Sequence, residues 1–495
     1  MKKLALILAA AFLTFTGVLA QNVDDALRYS QIFYNGTARF MSMGGAFTAL
    51  GADLSAISLN PAGTGVFRSS EASLTPQLYY FNSSSLFNNS SSSDFNYKFN
   101  LSQAGVVSNI LSNGNNTGLI SLNVAYSFNR TNNFNELTII NGISDNSSMA
   151  DYWVYKANGY SKSDLPNAPW IASETYMIDY LPGSTDSYGT VFSQWGDSAY
   201  ATYGQNIRRI IDNKGYTGEH TFSIGGNYSN KFFFGMALGI NSLKYIGHYE
   251  HLESDIDNVI YDFKNFTYTD HLEASGTGIS LKIGTIYRPV EYLRIGFAIH
   301  SPVIYRITEY FNDNITSAFD TEVDGISKYE SSNEPSRYKY TFTTPFRINA
   351  GVALQVKKLA LISADYEFVD YRISRFSNAS DNYNYYEEND GIKNILKATS
   401  NFRLGTEFRF NYLYLRGGYS YYGKAFNPNE ENKDLDYNAL SLGIGFRQQS
   451  FYFDLAFTGL YDTRSYYMYY DPPYLTPANI ETSRNSFMAT VGFKF

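Results

Sequence analysis

The sequence has no cysteine in 495 residues, which excludes disulfides, thiolate metal sites, cysteine nucleophiles and a lipidated N-terminal cysteine together. Charge is scarce as well: Asp, Glu, Lys and Arg reach only 17%, against roughly a quarter in soluble domains. With 38 Lys plus Arg against 46 Asp plus Glu the net charge is −8, and no basic stripe faces phosphate backbones, so nucleic acid is not expected as a partner. Long apolar runs are missing beyond the N-terminus and mean hydropathy is −0.28, which excludes a helical polytopic membrane protein. A hydrophobic content of 44% argues equally against disorder.

What the chain has instead is aromatic residues: 45 Tyr, 37 Phe and 3 Trp, 17% of the whole. It opens with Met1-Lys2-Lys3 and an apolar run from Leu4 to Leu13, closing at Val18-Leu19-Ala20 before Gln21. This reads as a cleaved export signal over 1–20; the apolar core is too short for a comfortable anchor helix. An exported chain of polar average and high Tyr, Phe, Gly, Asn and Ser content suits a transmembrane β-barrel, where aromatics form interfacial girdles and alternation keeps mean hydropathy low.

Alternation is explicit at the C-terminus. Phe487, Ala489, Val491, Phe493 and Phe495 share one face, with Ser486, Met488, Thr490, Gly492 and Lys494 on the other. The pattern recurs at 293–300, 402–410, 440–447 and 451–458. A soluble sandwich would turn its charged face outward, whereas a barrel turns it to the lumen. Short turns are expected near 112–116, 230–231, 288–291, 357–358, 411–412 and 448–450. Long polar loops are expected near 81–99, 129–216, 250–270, 313–335, 377–395, 425–434 and 464–482. Threading between them gives an all-β fold, an antiparallel barrel of about 14 strands. The loop from 129 to 216 is too long to lack structure, and stretches such as 173–181 suit short helices. Its Tyr152, Trp153, Tyr155, Leu165, Trp170, Ile171, Tyr176, Met177, Ile178, Tyr180 and Leu181 are expected either to line an apolar groove with 250–270, or to pack the loop's own core or touch lipopolysaccharide.

Residues 21–70 do not alternate, and Met41 to Asp53 is the densest small-residue stretch in the chain. About fifty compact residues ahead of the barrel, at 71–495, fit inside its lumen as a plug, or hatch. By itself Asn60-Pro61-Ala62 reads as a turn. In order with Gly36-Thr37-Ala38-Arg39, Met43-Gly44-Gly45-Ala46-Phe47 and Asp53, it resembles the hatch of FadL-type outer-membrane transporters of long-chain fatty acids and other hydrophobic compounds. The similarity continues through Ser275-Gly276-Thr277-Gly278, Leu293-Arg294-Ile295-Gly296, Ser301-Pro302-Val303, Thr344-Pro345-Phe346-Arg347, Leu404 to Phe408, Leu415 to Tyr419 and Leu442 to Phe446. Residues 81–216 show little of it.

The resemblance implies uptake of small hydrophobic molecules across a bacterial outer membrane. Ligand is captured at extracellular loops, the hatch, whose motif is Gly44, Gly45, Asn60, Pro61 and Ala62, rearranges near the Asn60-Pro61-Ala62 turn, and the ligand leaves laterally where a strand kinks. It implies no enzyme activity, no cofactor and a monomer, with lipopolysaccharide, outer-membrane lipid and the assembly machinery that reads a C-terminal aromatic as surroundings. Ligand contacts are not legible, since a hydrophobic pocket has no short motif. Arg294, Glu407, Arg409, Arg416 and Arg447 lie close to expected short turns and are expected to form a lumen charge network with hatch acids such as Asp53, because unpaired enclosed charges are costly.

Other motifs carry less. Gly276-Thr277-Gly278 lacks a following Gly-Lys-Ser/Thr and a strand-to-helix context, which excludes a phosphate loop. His248, His251 and His271 lie among Glu250, Glu253 and Glu273, but without helical ligand spacing they read as solvated polar residues rather than a metal site. A surface receptor or adhesin using the long loops is the main alternative function, and a barrel-rim lipid hydrolase a further one; no serine is marked by spacing as a nucleophile.

Overall fold

The computed structural model describes residues 23–113, 117–192, 202–357, 359–469 and 476–495, with the backbone of 194–195 and 198–199. The expected export signal over 1–20 lies outside the described residues.

Alternating sequence produces alternating burial. Along one strand Ile279, Leu281 and Ile283 are 61%, 57% and 61% exposed, while Ser280 and Lys282 between them are 3% and 5% exposed. A band of exposed Leu, Ile, Val and Phe around the outside, with the polar residues turned in, is a lipid-facing surface. In lipid every backbone polar group needs an internal partner, so the sheet closes on itself. The result is a closed antiparallel barrel of 14 strands. They are β1 (Glu71–Phe87), β2 (Ser90–Ser112), β3 (Leu119–Asn133, resuming as Glu136–Ser144), β4 (Gln205–Tyr228), β5 (Phe232–Ser254), β6 (Asn265–Val290) and β7 (Leu293–His300, resuming as Ile304–Val323). Then come β8 (Ser336–Thr343, resuming as Arg347–Val356), β9 (Ala360–Asp370), β10 (Ala398–Phe410), β11 (Leu413–Tyr422), β12 (Tyr437–Arg447), β13 (Phe451–Tyr466) and β14 (Ala478–Lys494). Closure is between β1 and β14, in register from Glu71 opposite Lys494 to Leu86 opposite Asn479.

Prolines interrupt two neighbouring strands at one level. Ser301-Pro302-Val303 breaks β7 and Thr344-Pro345-Phe346 breaks β8, with His300 opposite Arg347 below the breaks and Ile304 opposite Thr343 above. Proline cannot donate to a ladder, so pairing both breaks wastes the fewest hydrogen bonds.

One end of the barrel has short turns, the other long connections. Four of the expected loops are shorter than their polarity suggested. Residues 81–99 are no loop: β1 and β2 run on to a tight turn at Asn88-Asn89, both at positive φ. Strand β3 extends to Ser144 and β4 starts at Gln205, β5 and β6 reach Ser254 and Asn265, and 313–335 is largely a strand hairpin. Polar residues in these stretches belong to strands that rise beyond the lipid, where the outer face meets water while inward residues such as Ser85, Glu253 and Ser317 are buried. Between β3 and β4 the helices fall at Met149–Ala157 and Asn167–Glu174, earlier than 173–181. Their apolar residues do not form an open groove: Trp153, Ile171, Met177 and Ile178 are fully buried in a core shared with Phe263 and Phe266. The loop is therefore a cap with its own core. Glu253 anchors it, accepting hydrogen bonds from Ser148 Oγ (2.7 Å), Met149 N (2.8 Å) and Gln205 Nε2 (2.9 Å). His251 Nε2 lies 2.9 Å from the same carboxylate. We expect Glu253→Ala to loosen the cap, raising hydrogen exchange across 149–178 with the barrel's heat-modifiable gel migration unchanged.

Candidate functional site: the occupied lumen

Residues 23–69 lie inside the barrel, and each segment has a local reason for its shape. Helix α1 (Val23–Ser30) enters the long-loop half of the lumen. It packs Leu27 and Tyr29 among Tyr245, Phe342, Tyr371 and Phe376, and against Ile392 of the loop helix Tyr386–Ile395. Arg28 pairs with Asp25 and stacks 4.3 Å from the Tyr245 ring centroid. Below it, α2 (Ala38–Ser42) is capped by Thr37, whose hydroxyl accepts from Phe40 N (3.1 Å) and donates to Asp53 (2.8 Å). Gly44 and Gly45 follow at φ +60° and +70°, a left-handed turn that brings the backbone against β11.

Asn60 ends α3 (Ala56–Leu59) and caps the 3-10 turn Pro61–Val66. Its Oδ1 accepts from Ala62 N (3.0 Å), and its Nδ2 donates to Thr48 O (2.6 Å) and to Thr285 O of β6 (3.2 Å). Pro61 fits the first position of the turn, where no N–H is needed, and Ala62 is wholly buried. One amide thus ties two hatch loops to the wall. Its loss leaves buried groups unpaired, at about 1–3 kcal/mol each. Asn60→Ala should therefore raise hydrogen exchange across 44–66 while the barrel keeps its heat-modifiable migration; equal loss of both would show that Asn60 supports the barrel instead.

Close backbone approach holds the hatch elsewhere. A Cβ on Gly235 would collide with the Pro61 carbonyl oxygen, and one on Gly296 with the Thr48 carbonyl oxygen. Only glycine lets the wall and hatch backbones touch there.

Three of the five expected network residues meet at the short-turn end. Arg416 donates to Glu407 (2.7 Å) and Asp454 (2.7 Å), and Arg447 donates to Asp454 (2.8 Å). The hatch joins through a cation, Arg39, at 3.0 Å from Glu407. Asp53 does not take part as expected: its carboxylate is used by Thr37 Oγ1 and Ser55 N (3.0 Å). Arg409 also lies outside the network. It shares Glu407's face but lies one step farther toward the turn at 411–412, where it is exposed and sits over the Tyr414 ring, 4.8 Å from its centroid. Arg294 donates to Leu50 O of the hatch (2.6 Å), with no carboxylate in ion-pair range among the described residues.

A second charge cluster, which the sequence reading missed, lies at mid-lumen. Glu367 accepts from Arg347 (2.6 Å), Arg403 (2.8 Å) and Asn401 (2.8 Å). Arg347 also holds Ser30 O at the end of α1 (2.5 Å). Lys282 joins Glu219 (2.6 Å) to Ser58 O (2.7 Å). Strand alternation turns these residues to the lumen, but their cross-strand partners carry no local sequence signal.

The wall itself has a seam. The ladder between β2 and β3 runs only from Ser112–Ser121 to Gln103–Asn129. Beyond it, residues 90–102 pair with β1 alone, and the outer half of β3 pairs with β4 alone. At the break β3 bonds inward to the hatch: Phe33 N donates to Thr131 O (2.8 Å) and Asn35 N to Arg130 O (3.0 Å). Farther out, among the described residues, side chains rather than a ladder span the gap, as when Asn141 Nδ2 donates to Ser92 Oγ (2.9 Å), and Ser85 Oγ of β1 reaches Ile139 O (2.6 Å).

No family model matches the chain, and no curated protein matches it by sequence. Solved structures do match its fold. A FadL homologue of Pseudomonas aeruginosa superposes with a TM-score of 0.55 over 94% of this chain and 100% of that one, at 11% identity. The toluene transporter TodX of P. putida superposes with a TM-score of 0.53 over 93% and 99%, also at 11% identity. The chain has the FadL-type fold: a 14-stranded barrel with its N-terminal segment as a hatch.

Proposed function

We propose that this FadL-type barrel lies in a bacterial outer membrane, short turns in the periplasm, and takes up small hydrophobic molecules from the medium. The observation that carries the reading is an aromatic outer lumen closed below by the hatch and adjoining a seam in the wall. Polar surface glycans repel apolar solutes, and a water-filled pore offers them no favourable contact, so they need an apolar path out of water. Leu243, Tyr245, Tyr305, Ile307, Phe342 and Phe376 supply such a path. It cannot continue straight down, where the hatch backbone meets the wall and buried ion pairs fill the floor. It can continue sideways at β3, where, among the described residues, two backbone edges are held by side chains rather than a ladder. A solute leaving there enters lipid without crossing the hatch.

In this reading the element that moves is α1 with the cap above it, since α1 fills the outer lumen, whereas the Asn60 turn is tied at three points. The long-loop end meets lipopolysaccharide, and the protein works as a monomer without a cofactor. The TodX likeness supports an apolar cargo, whether monoaromatic or a long-chain fatty acid, and assigns no catalysis. A surface receptor that conducts nothing is favoured by one observation, the filling of the outer lumen by α1.

The absence of native cysteine allows a clean test. Tyr97 borders the seam at 67% exposure, and Leu442 faces lipid on another part of the wall at 66%. In proteoliposomes the parent should pass an apolar probe and exclude sugars. A bulky maleimide on Tyr97→Cys should slow apolar uptake severalfold, with labelled Leu442→Cys unaffected. Equal uptake in both labelled proteins would sink the lateral path, and free passage of sugars would mark a general pore.

A further inference from the structure

Below the hatch, the short-turn end of the lumen opens into a cavity of about 310 Å³. Arg39, Arg68, Arg288, Arg294, Arg447 and Lys494 line it, against only Glu71 and Glu291. Three of the six cations are neutralised by carboxylates: Arg39 by Glu407, Arg447 by Asp454, and Lys494 by Glu71 at 3.8 Å. The other three are not. Arg294 binds Leu50 O, Arg288 binds the main-chain oxygen of Glu291 (3.2 Å), and among the described residues Arg68 has no ion pair. In a chain whose net charge is −8, this pocket carries an excess of positive charge.

We infer that the cavity is a binding site for a compact multivalent oxyanion, a phosphate- or carboxylate-bearing ligand on the short-turn side. Guanidinium groups present planar forks that match such oxygens two at a time. Like charges gathered at a partly enclosed mouth repel one another, and a bound anion relieves that repulsion while satisfying the unused N–H donors. Among the neutral residues around them, Ser69, Asn227, Asn230 and Gln355 add hydrogen-bonding groups, beside apolar neighbours such as Leu50, Phe67 and Phe233. The site is separated from the outer lumen by the hatch, so the inference does not rest on the transport reading.

Inorganic pyrophosphate titrated into the purified full-length protein in neutral detergent at low salt is the test. Saturable binding at one site is expected. Arg294→Gln and Arg68→Gln should each weaken it at least tenfold, with heat-modifiable migration confirming a folded barrel. Lys328→Gln, at the long-loop end, should leave it unchanged. Competition then separates sources of the same chemistry: displacement by phosphatidylglycerol micelles supports a lipid headgroup, and displacement only by soluble phosphates or citrate supports a free anion. No saturable binding, or equal affinity in the Arg294, Arg68 and Lys328 variants, overturns the proposal.

Discussion

Glu367→Ala is expected to destabilise the lumen by about 3–5 kcal/mol, the usual result of removing one partner from a buried ion cluster. Glu367 is fully buried and is the carboxylate that both Arg347 and Arg403 bond. Without it two guanidinium groups remain enclosed, each with unpaired donors. Arg403 keeps a ring contact with Tyr34, 4.9 Å from its centroid, which is too weak to compensate. Arg347 would withdraw from Ser30 O, so the loss should spread to α1. The midpoint of heat-modifiable migration should fall, and hydrogen exchange over 23–35 should rise before that of the strands. Glu367→Gln keeps the volume and one acceptor and should fall between parent and alanine variant. An alanine variant with the parent's midpoint and exchange would show that this carboxylate does not hold the two arginines.

Gly296→Val is expected to have the second largest effect, by a different cause. The atoms its side chain would strike, Thr48 O and Ala49 Cα, are backbone and cannot rotate aside. Overpacking of this kind costs about 1–3 kcal/mol, and the yielding part should be the hatch, which lacks the barrel's continuous ladder. Small sugars should then leak through reconstituted protein that still migrates as a folded barrel. Gly417→Val is the control, because its nearest neighbour, Thr406 Oγ1, would be 3.7 Å from the new Cβ. Should both variants remain equally tight to sugars, the hatch is not braced at Gly296.

The barrel was legible because period-two alternation survives wherever one face meets lipid, as in 451–458 and 487–495. It was misread where strands rise into water: Ser90 to Asp94 carry no apolar face, so they read as loop although they pair with β1. The hatch motif rested on the resemblance carried by residues such as Gly44, Gly45 and Asn60; in the fold the two glycines take positive φ and Asn60 caps a turn. Charge partners were not legible. Arg416 and Asp454 are 38 positions apart and meet only because β11, β12 and β13 are consecutive, and a register is set by the whole sheet. Arg39 was noted as part of a motif but not as an ion-pair partner, since the fold of the hatch decides which face it turns to Glu407. The seam in the wall left no signature either, because absent pairing does not change a strand's composition.

The contact between hatch and wall also constrains the order of folding. Ala38 N donates to Thr490 Oγ1 on β14, and that hydroxyl lies 2.8 Å from Thr75 Oγ1 on β1, at the line where the first and last strands meet. With its backbone seated against wall glycines on several strands, residues 36–66 cannot be threaded in through a finished ring. They have to be in place when β1 and β14 zip together, so that ladder encloses the segment that precedes it in the chain. Pairings so distant in sequence are slow to form. A hatch variant such as Asn60→Ala should therefore delay closure in a refolding time course, even where the finished barrel is as stable as the parent.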